Sequence, residues 1–204
     1  MDDYDYFLKK VADFHGHICR GILTGTRMAL TAMRYLELDP YGANRNIIVY
    51  TEIDRCMSDA VMVITGCSPG RRSLKFVDYG KFAMTIINQE TGKAVRTSMK
   101  DNFPRSDNIE EMKKIVAAIS DAEMFTLQDV EVNIPKFDLP GFPLKTTVCS
   151  ACGEQIMDGR DIDQGGIILC RGCALGTYYT IGKKQQRQSD KNVISPDLNG
   201  TKSK

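Results

Sequence analysis

An α+β core over residues 1–140, mixing helices with an antiparallel sheet, followed by a small four-cysteine zinc finger of treble-clef type over 145–204, is the fold class the sequence predicts. Three observations carry it. Helix-period segments alternate irregularly with short β-branched runs, so the regular strand–helix rhythm of a parallel α/β sheet is missing. The stretch Pro135–Pro143 holds three prolines and a glycine, which suits a linker and not a helix or central strand. Beyond it lie two Cys-x2-Cys pairs separated by seventeen residues.

From Asp3 to Phe14, Tyr6, Phe7, Val11 and Phe14 recur at helical spacing, which predicts an amphipathic helix. His15-Gly16-His17-Ile18-Cys19-Arg20-Gly21 interrupts it. Helical period resumes near Ile22 and runs to Leu36, stopping before the turn signal Asp39-Pro40-Tyr41-Gly42. Asn46–Ile53 reads as a strand, Cys56–Ile64 as a helix and Gly66–Arg72 as a loop. Leu74–Asp78 reads as a strand. Phe82–Asn88 and Ala94–Met99 form a hairpin through Glu90-Thr91-Gly92-Lys93. Ile109–Ala122 predicts one amphipathic helix, capped by Ser106 or Asp107, and Val130–Ile134 a last strand.

A net charge of +1 over 204 residues gives no global field for nucleic acid or an acidic membrane. No apolar run approaches the roughly 18 residues of a membrane span. MDDYDYFLKK lacks a basic region followed by an apolar one, so a cytoplasmic location is expected. Thiols stay reduced there, and seven cysteines then point to metal binding or thiol chemistry.

Cys149, Cys152, Cys170 and Cys173 have the spacing of a structural zinc site. Two cysteines three apart in a tight turn reach one tetrahedral ion, and four thiolates leave no open coordination position. A hairpin is expected around Gly165-Gly166, and a helix over Ala174–Lys184. Lys183, Lys184 and Arg187 suit phosphate contacts or a solvated tail.

Both histidines of the chain fall in His15-Gly16-His17, with Cys19 two residues on. Imidazole and thiolate are preferred ligands of borderline transition metals. A second metal in the core is therefore expected at His17 and Cys19, with His15 available. Cys56 opens a helix and Cys67 follows it. Both are candidates to converge on the same point, or are simply small apolar residues.

Phe14-His15-Gly16-His17-Ile18-Cys19, Gly21 and Gly25-x-Arg27 resemble the signature of the FmdE-like (FwdE-like) family of formylmethanofuran dehydrogenase proteins. The resemblance continues through Glu52-x-Asp54-Arg55-Cys56-x2-Asp59-Ala60, Thr65-Gly66-Cys67, Asp78-Tyr79-Gly80-Lys81 and Thr91-Gly92-Lys93-Ala94-Val95-Arg96. It implies an α+β core, a homodimer, and a cleft bordered by His17, Cys19, Cys56 and Cys67. Asp54, Asp59 and Lys81 are then expected as supporting or anion-handling groups. Arg20 departs from the proline usual in the family. The resemblance also implies an accessory role beside the catalytic chains of a molybdenum or tungsten oxidoreductase; this chain has no pterin or iron–sulfur spacing of its own.

A metal-binding accessory protein is thus the leading expectation. A protein- or nucleic-acid-binding module using the finger is a second. A thiol redox protein using Cys19 with Cys56 or Cys67 is a third, and requires Cα atoms closer than about 7 Å.

Overall fold

The computed structural model describes residues 3–42 and 46–182. The basic positions Lys183, Lys184 and Arg187 lie outside the described residues. The chain divides into two compact units, Met1–Phe142 and Pro143–Lys204.

The first unit opens with α1 (Asp3–His15), whose Phe7, Leu8 and Val11 turn inward and whose Asp3 and Asp5 sit in the first turn, where the helix dipole favours acids. Helix α2 (Arg20–Tyr35) is buried along most of its length, from Ile22 to Met33. A helix buried nearly all round belongs inside a fold, and α2 packs against α1 and the third helix. That third helix, α3 (Met57–Thr65), follows β1 (Ile47–Thr51) and leads to β2 (Leu74–Phe76), which pairs parallel to β1. One strand–helix–strand crossover therefore sits inside an otherwise antiparallel sheet.

The sheet has the order β2-β1-β3-β4-β5, with β3 (Ala83–Asn88), β4 (Ala94–Met99) and β5 (Phe125–Asp129). Val49, Ile86 and Val95 lie in register on one face and join the helices in the main core. On the opposite face Ile48, Ile87 and Ala94 are buried beneath Tyr50, Val130, Val132 and Ile134. That last segment is not the strand the sequence predicts. Its alternating apolar residues make it a strap across the sheet, while Phe125–Asp129 pairs with β4.

The helix expected over Ile109–Ala122 is broken. Helix α4 (Ile109–Ala118) ends where Ile119 turns extended, and α5 (Asp121–Met124) begins behind a capping box of Ser120 and Glu123. Arg27 donates to the carbonyls of Val116 and Ile119, at 2.6 and 3.1 Å, and so satisfies the end of α4. The N-cap of α4 is Asn108, whose side chain accepts from the Glu111 amide at 3.0 Å, and not Ser106 or Asp107.

In the second unit β6 (Thr146–Val148) pairs with β7 (Gln155–Met157), and β8 (Asp161–Gln164) pairs with β9 (Ile167–Cys170) around Gly165-Gly166. Helix α6 (Arg171–Leu175) follows. It starts three residues earlier than the sequence predicts and stops at Gly176, whose positive φ of 100° ends the turn. No helix among the described residues is long and apolar enough to cross a membrane.

Candidate metal centres

The second unit gathers Cys149, Cys152, Cys170 and Cys173, with one sulfur from each lying within 4.8 Å of all the others. The Cys149 amide bonds the Glu154 carbonyl, and the Gly153 amide the Cys149 carbonyl, closing a tight knuckle around the first pair. Cys170 ends β9 and caps α6, so the second pair spans a strand end and a helix start. The Cys170 amide donates to Cys149 Sγ at 3.2 Å, and the Cys173 amide to Cys170 Sγ at 3.3 Å. Backbone amides of Cys152 and Cys170 pull the Cys149 thiol down to about 6. The neighbouring thiols push Cys173 up to about 12. Four sulfurs this crowded resist carrying charge together, and a cation among them removes the conflict.

A second cluster sits in the first unit. His15 is the last residue of α1, His17 follows Gly16, and Cys19 stands at the N-cap of α2; their donor atoms all lie within 4.8 Å of one another. The two imidazole rings are 4.6 Å apart between centroids. Asp59, in the first turn of α3, holds His15 Nδ1 through its Oδ2 at 2.7 Å. His15 Nε2 is buried and has no hydrogen-bond partner. A buried ring nitrogen without a partner is costly, whereas a metal-ligating histidine characteristically bonds a carboxylate through its other nitrogen. The residues present therefore fit a metal at Nε2.

Cys56, the N-cap of α3, lies beside this cluster because α2 and α3 approach closely. A Cβ on Gly21 would lie 3.0 Å from Cys56 Cβ, 3.5 Å from Cys56 Sγ and 3.8 Å from Cys19 Sγ. One turn on, a Cβ on Gly25 would lie 3.0 Å from Met57 Cα. Glycine at both positions lets the two helices approach this closely without either having to give way. Burial, and then the adjacent Cys19 thiol, push the Cys56 thiol above its ordinary value.

Cys67 is not brought to this point. It lies past the far end of the nine-residue α3, which separates it from Cys56 by roughly 14 Å at 1.5 Å per residue. It is 2% exposed, its Sγ contacts the Ile47 carbonyl at 3.7 Å, and burial raises its thiol pKa. Asp54 is exposed and lines a cavity of about 540 Å³ whose wall includes His15, Cys56 and Asp59. Lys81 is exposed, with its ammonium 5.7 Å from the Tyr79 ring centroid.

Two motif residues given no role by the sequence have clear ones. Glu52 is buried and receives Arg96 on both carboxylate oxygens, at 2.7 and 2.8 Å. Its backbone carbonyl accepts from the Tyr79 and Lys81 amides. The segment leading into α3 is thereby tied to the sheet. A lone glutamate in a β-branched run, with an arginine on a nearby strand, is the signal in the sequence for this pair.

A family model described as "FmdE, Molybdenum formylmethanofuran dehydrogenase operon" matches residues 14–132, which contain the His15, His17 and Cys19 cluster but not the four cysteines of the second unit. The chain belongs to the FmdE family. Among solved structures, this FmdE-family chain is similar to a tungsten formylmethanofuran dehydrogenase FmdE-like protein from Syntrophus aciditrophicus. The TM-score is 0.60 at 22% identity, covering 87% of this chain and 95% of that one, so the two share a fold. Among curated proteins it is 30% identical over 204 residues to a "Probable S-adenosyl-L-methionine-binding protein" of Archaeoglobus fulgidus. That match covers 85% of this chain and 54% of the relative, so the chain spans about half of that protein's length.

Proposed function

We propose that this FmdE-family protein is a metal-binding accessory protein of an oxidoreductase, with a transition metal in the core and a structural zinc in its second unit. The observation that carries the reading is His15: Nδ1 is held by Asp59 while buried Nε2 lacks a partner, and the residue belongs to a 4.8 Å cluster with His17 and Cys19. His15, His17 and Cys19 hold the core ion, and Cys56 is the adjacent fourth donor. Asp59 fixes the ring orientation and the tautomer of His15, leaving Nε2 free to bind. An ion held by His15, His17 and Cys19 alone would supply Lewis acidity. The cavity beside His15 and Cys56 admits a small molecule to that side of the site.

For the second unit, a knuckle, a hairpin and a cysteine pair at a helix start support the treble-clef reading, and four thiolates favour zinc. S-adenosyl-L-methionine binding, carried in the name of the Archaeoglobus protein, forms no part of this reading, because about half of that protein lies outside the match.

The test is elemental analysis of protein purified without chelator, for wild type, His15→Ala, Cys19→Ala and Cys152→Ser. Two metals per chain are expected, with one lost from each variant and the survivor differing between core and second-unit variants. A single metal, untouched by His15→Ala and Cys19→Ala, removes the core site. A second reading, a thiol pair, is favoured by the closeness of Cys19 and Cys56 across Gly21. It requires a Cys19–Cys56 disulfide on diamide treatment in metal-loaded protein; protection by the metal supports the first reading instead.

A further inference from the structure

A cavity of about 250 Å³, separate from the one beside His15, opens along the first turn of α2. Its wall combines two arginines, Arg20 and Arg105, with the apolar side chains of Met99, Phe103 and Met112. The geometry points to a binding site for a small amphipathic carboxylate, its apolar body against Phe103 and the two methionines and its carboxylate on the two guanidinium groups.

Charge favours an anion here. Among the described residues no carboxylate lines the cavity, and each arginine's acidic partner stands out in water: Asp107, paired with Arg20 at 2.9 Å, is 94% exposed, and Asp101, paired with Arg105 at 2.8 Å, is 100% exposed. Ion pairs that open to solvent contribute little, so a ligand anion exchanges for them readily. The helix adds to the field. Cys19, the N-cap of α2, makes no side-chain capping bond, and Arg20, Gly21 and Thr24 put the first turn of that helix, the positive end of its dipole, in the same wall. An N-terminus alone would not define a site; here two guanidinium groups share it.

Shape and polarity set the class. The Arg105 guanidinium lies 5.1 Å from the Phe103 ring centroid, so the cationic and apolar parts of the wall are contiguous. Met112 and Phe103 are buried, giving the cavity an apolar floor. Its volume falls just below the usual range for sites of drug-sized ligands, about 300–1,000 Å³, which excludes nucleotides and large coenzymes and fits a short-chain or aromatic acid. A bare inorganic anion would leave the apolar wall unused. A neutral hydrocarbon would leave both arginines with their exposed partners.

The cavity shares no lining residue with the one beside His15, and binding in it can be read without the core metal. Phenylacetate is titrated into the isotope-labelled full chain while amide chemical shifts are followed, with neutral phenylacetamide and inorganic phosphate as comparison ligands at matched ionic strength. Saturable shifts are expected around Arg20–Thr24 and Met99–Arg105, with phenylacetamide and phosphate each binding at least about tenfold more weakly. Arg20→Ala and Arg105→Ala, both at exposed side chains, are each expected to weaken phenylacetate about tenfold while leaving the remaining spectrum in place. Equal binding of phenylacetamide would make the cavity a merely apolar hole and overturn the proposal. Equal binding of phosphate would make it a plain anion site and overturn the class. Absence of saturable shifts with phenylacetate, or full affinity in both arginine variants, would also overturn it.

Discussion

Substituting Gly25 by alanine sets two effects of opposite sign against each other. Alanine in a helix interior is worth about 1 kcal/mol over glycine, and Gly25 lies well inside α2. Against this, the new Cβ would lie 3.0 Å from Met57 Cα and 3.3 Å from Ala60 Cβ. Met57 Cα is backbone, so no side-chain rotation relieves the contact. Helix α3 must back away by several tenths of an ångström, and overpacking of this kind costs about 1–3 kcal/mol. The net expectation is a loss of about 1 kcal/mol, read in urea unfolding as a lower midpoint at unchanged slope. Because α3 carries Cys56 and Asp59, the same displacement should lengthen the 2.7 Å bond to His15 and weaken core metal binding. A Gly25→Ala variant that is more stable by about 1 kcal/mol, with full metal affinity, would show that the two helices do not depend on this contact.

Three further outcomes rest on the same geometry. Asp59→Asn should lower core metal affinity about 10–100-fold with the fold intact, by chelator competition; unchanged affinity would remove Asp59 from the site. Arg96→Met leaves the Glu52 carboxylate, whose side chain is 8% exposed, without its partner, and should destabilise the first unit by about 3 kcal/mol at pH 7. Adding Glu52→Gln should recover much of that loss, since an unpaired buried charge is the main cost, and equal instability of the double variant would refute this cause. Protons compete with metal for the four cysteines, and Cys149 is the one held down to about 6 by backbone amides. On the proposal that the second unit holds zinc, the metal should leave as pH falls and not as it rises, followed with a chromophoric chelator. Release that does not depend on pH would contradict a thiolate cage in which protons and metal compete for the sulfurs.

Local signals were the ones legible in the sequence. Helices α1 and α2 were readable because Phe7, Val11, Ile22 and Leu23 repeat at helical period. The β3–β4 hairpin was readable because its turn residues sit between two β-branched runs. The break between α4 and α5 was not, because Arg27, 89 and 92 residues away from its acceptors Val116 and Ile119, holds the carbonyls at which the helix stops. The shift of the last strand to Phe125–Asp129 was equally hidden. Both it and the segment after it alternate apolar residues, and only pairing with β4 chooses between them.

Within the core cluster, His15, His17 and Cys19 were visible as neighbours in five residues of sequence, and Cys56 only as a cysteine opening a helix. The separate position of Cys67 was open to arithmetic, since a nine-residue helix holds its ends roughly 14 Å apart. What no spacing revealed was the orphaned Nε2 of His15, which depends on Asp59 reaching across from a different helix.

The motif blocks divide by what their side chains touch. Gly21 and Gly25 bring no reactive group; they let α2 and α3 close until the caps of both helices, Cys19 and Cys56, stand side by side. Glu52 and Arg96 act at the sheet, where their paired side chains, and the Glu52 carbonyl receiving Tyr79 and Lys81, fix the segment from which α3 departs. Arg27 fixes α4 against α2. Asp59 is then left to act on His15 from a helix that neighbouring elements have already immobilised. Scaffold and ligands are thus coupled in one direction. Substituting one of the proposed ligands should remove the core metal and leave the fold. Loosening the α2–α3 contact should disturb both, because the donors come from the end of α1, the link after it and the caps of the two helices that this contact holds together.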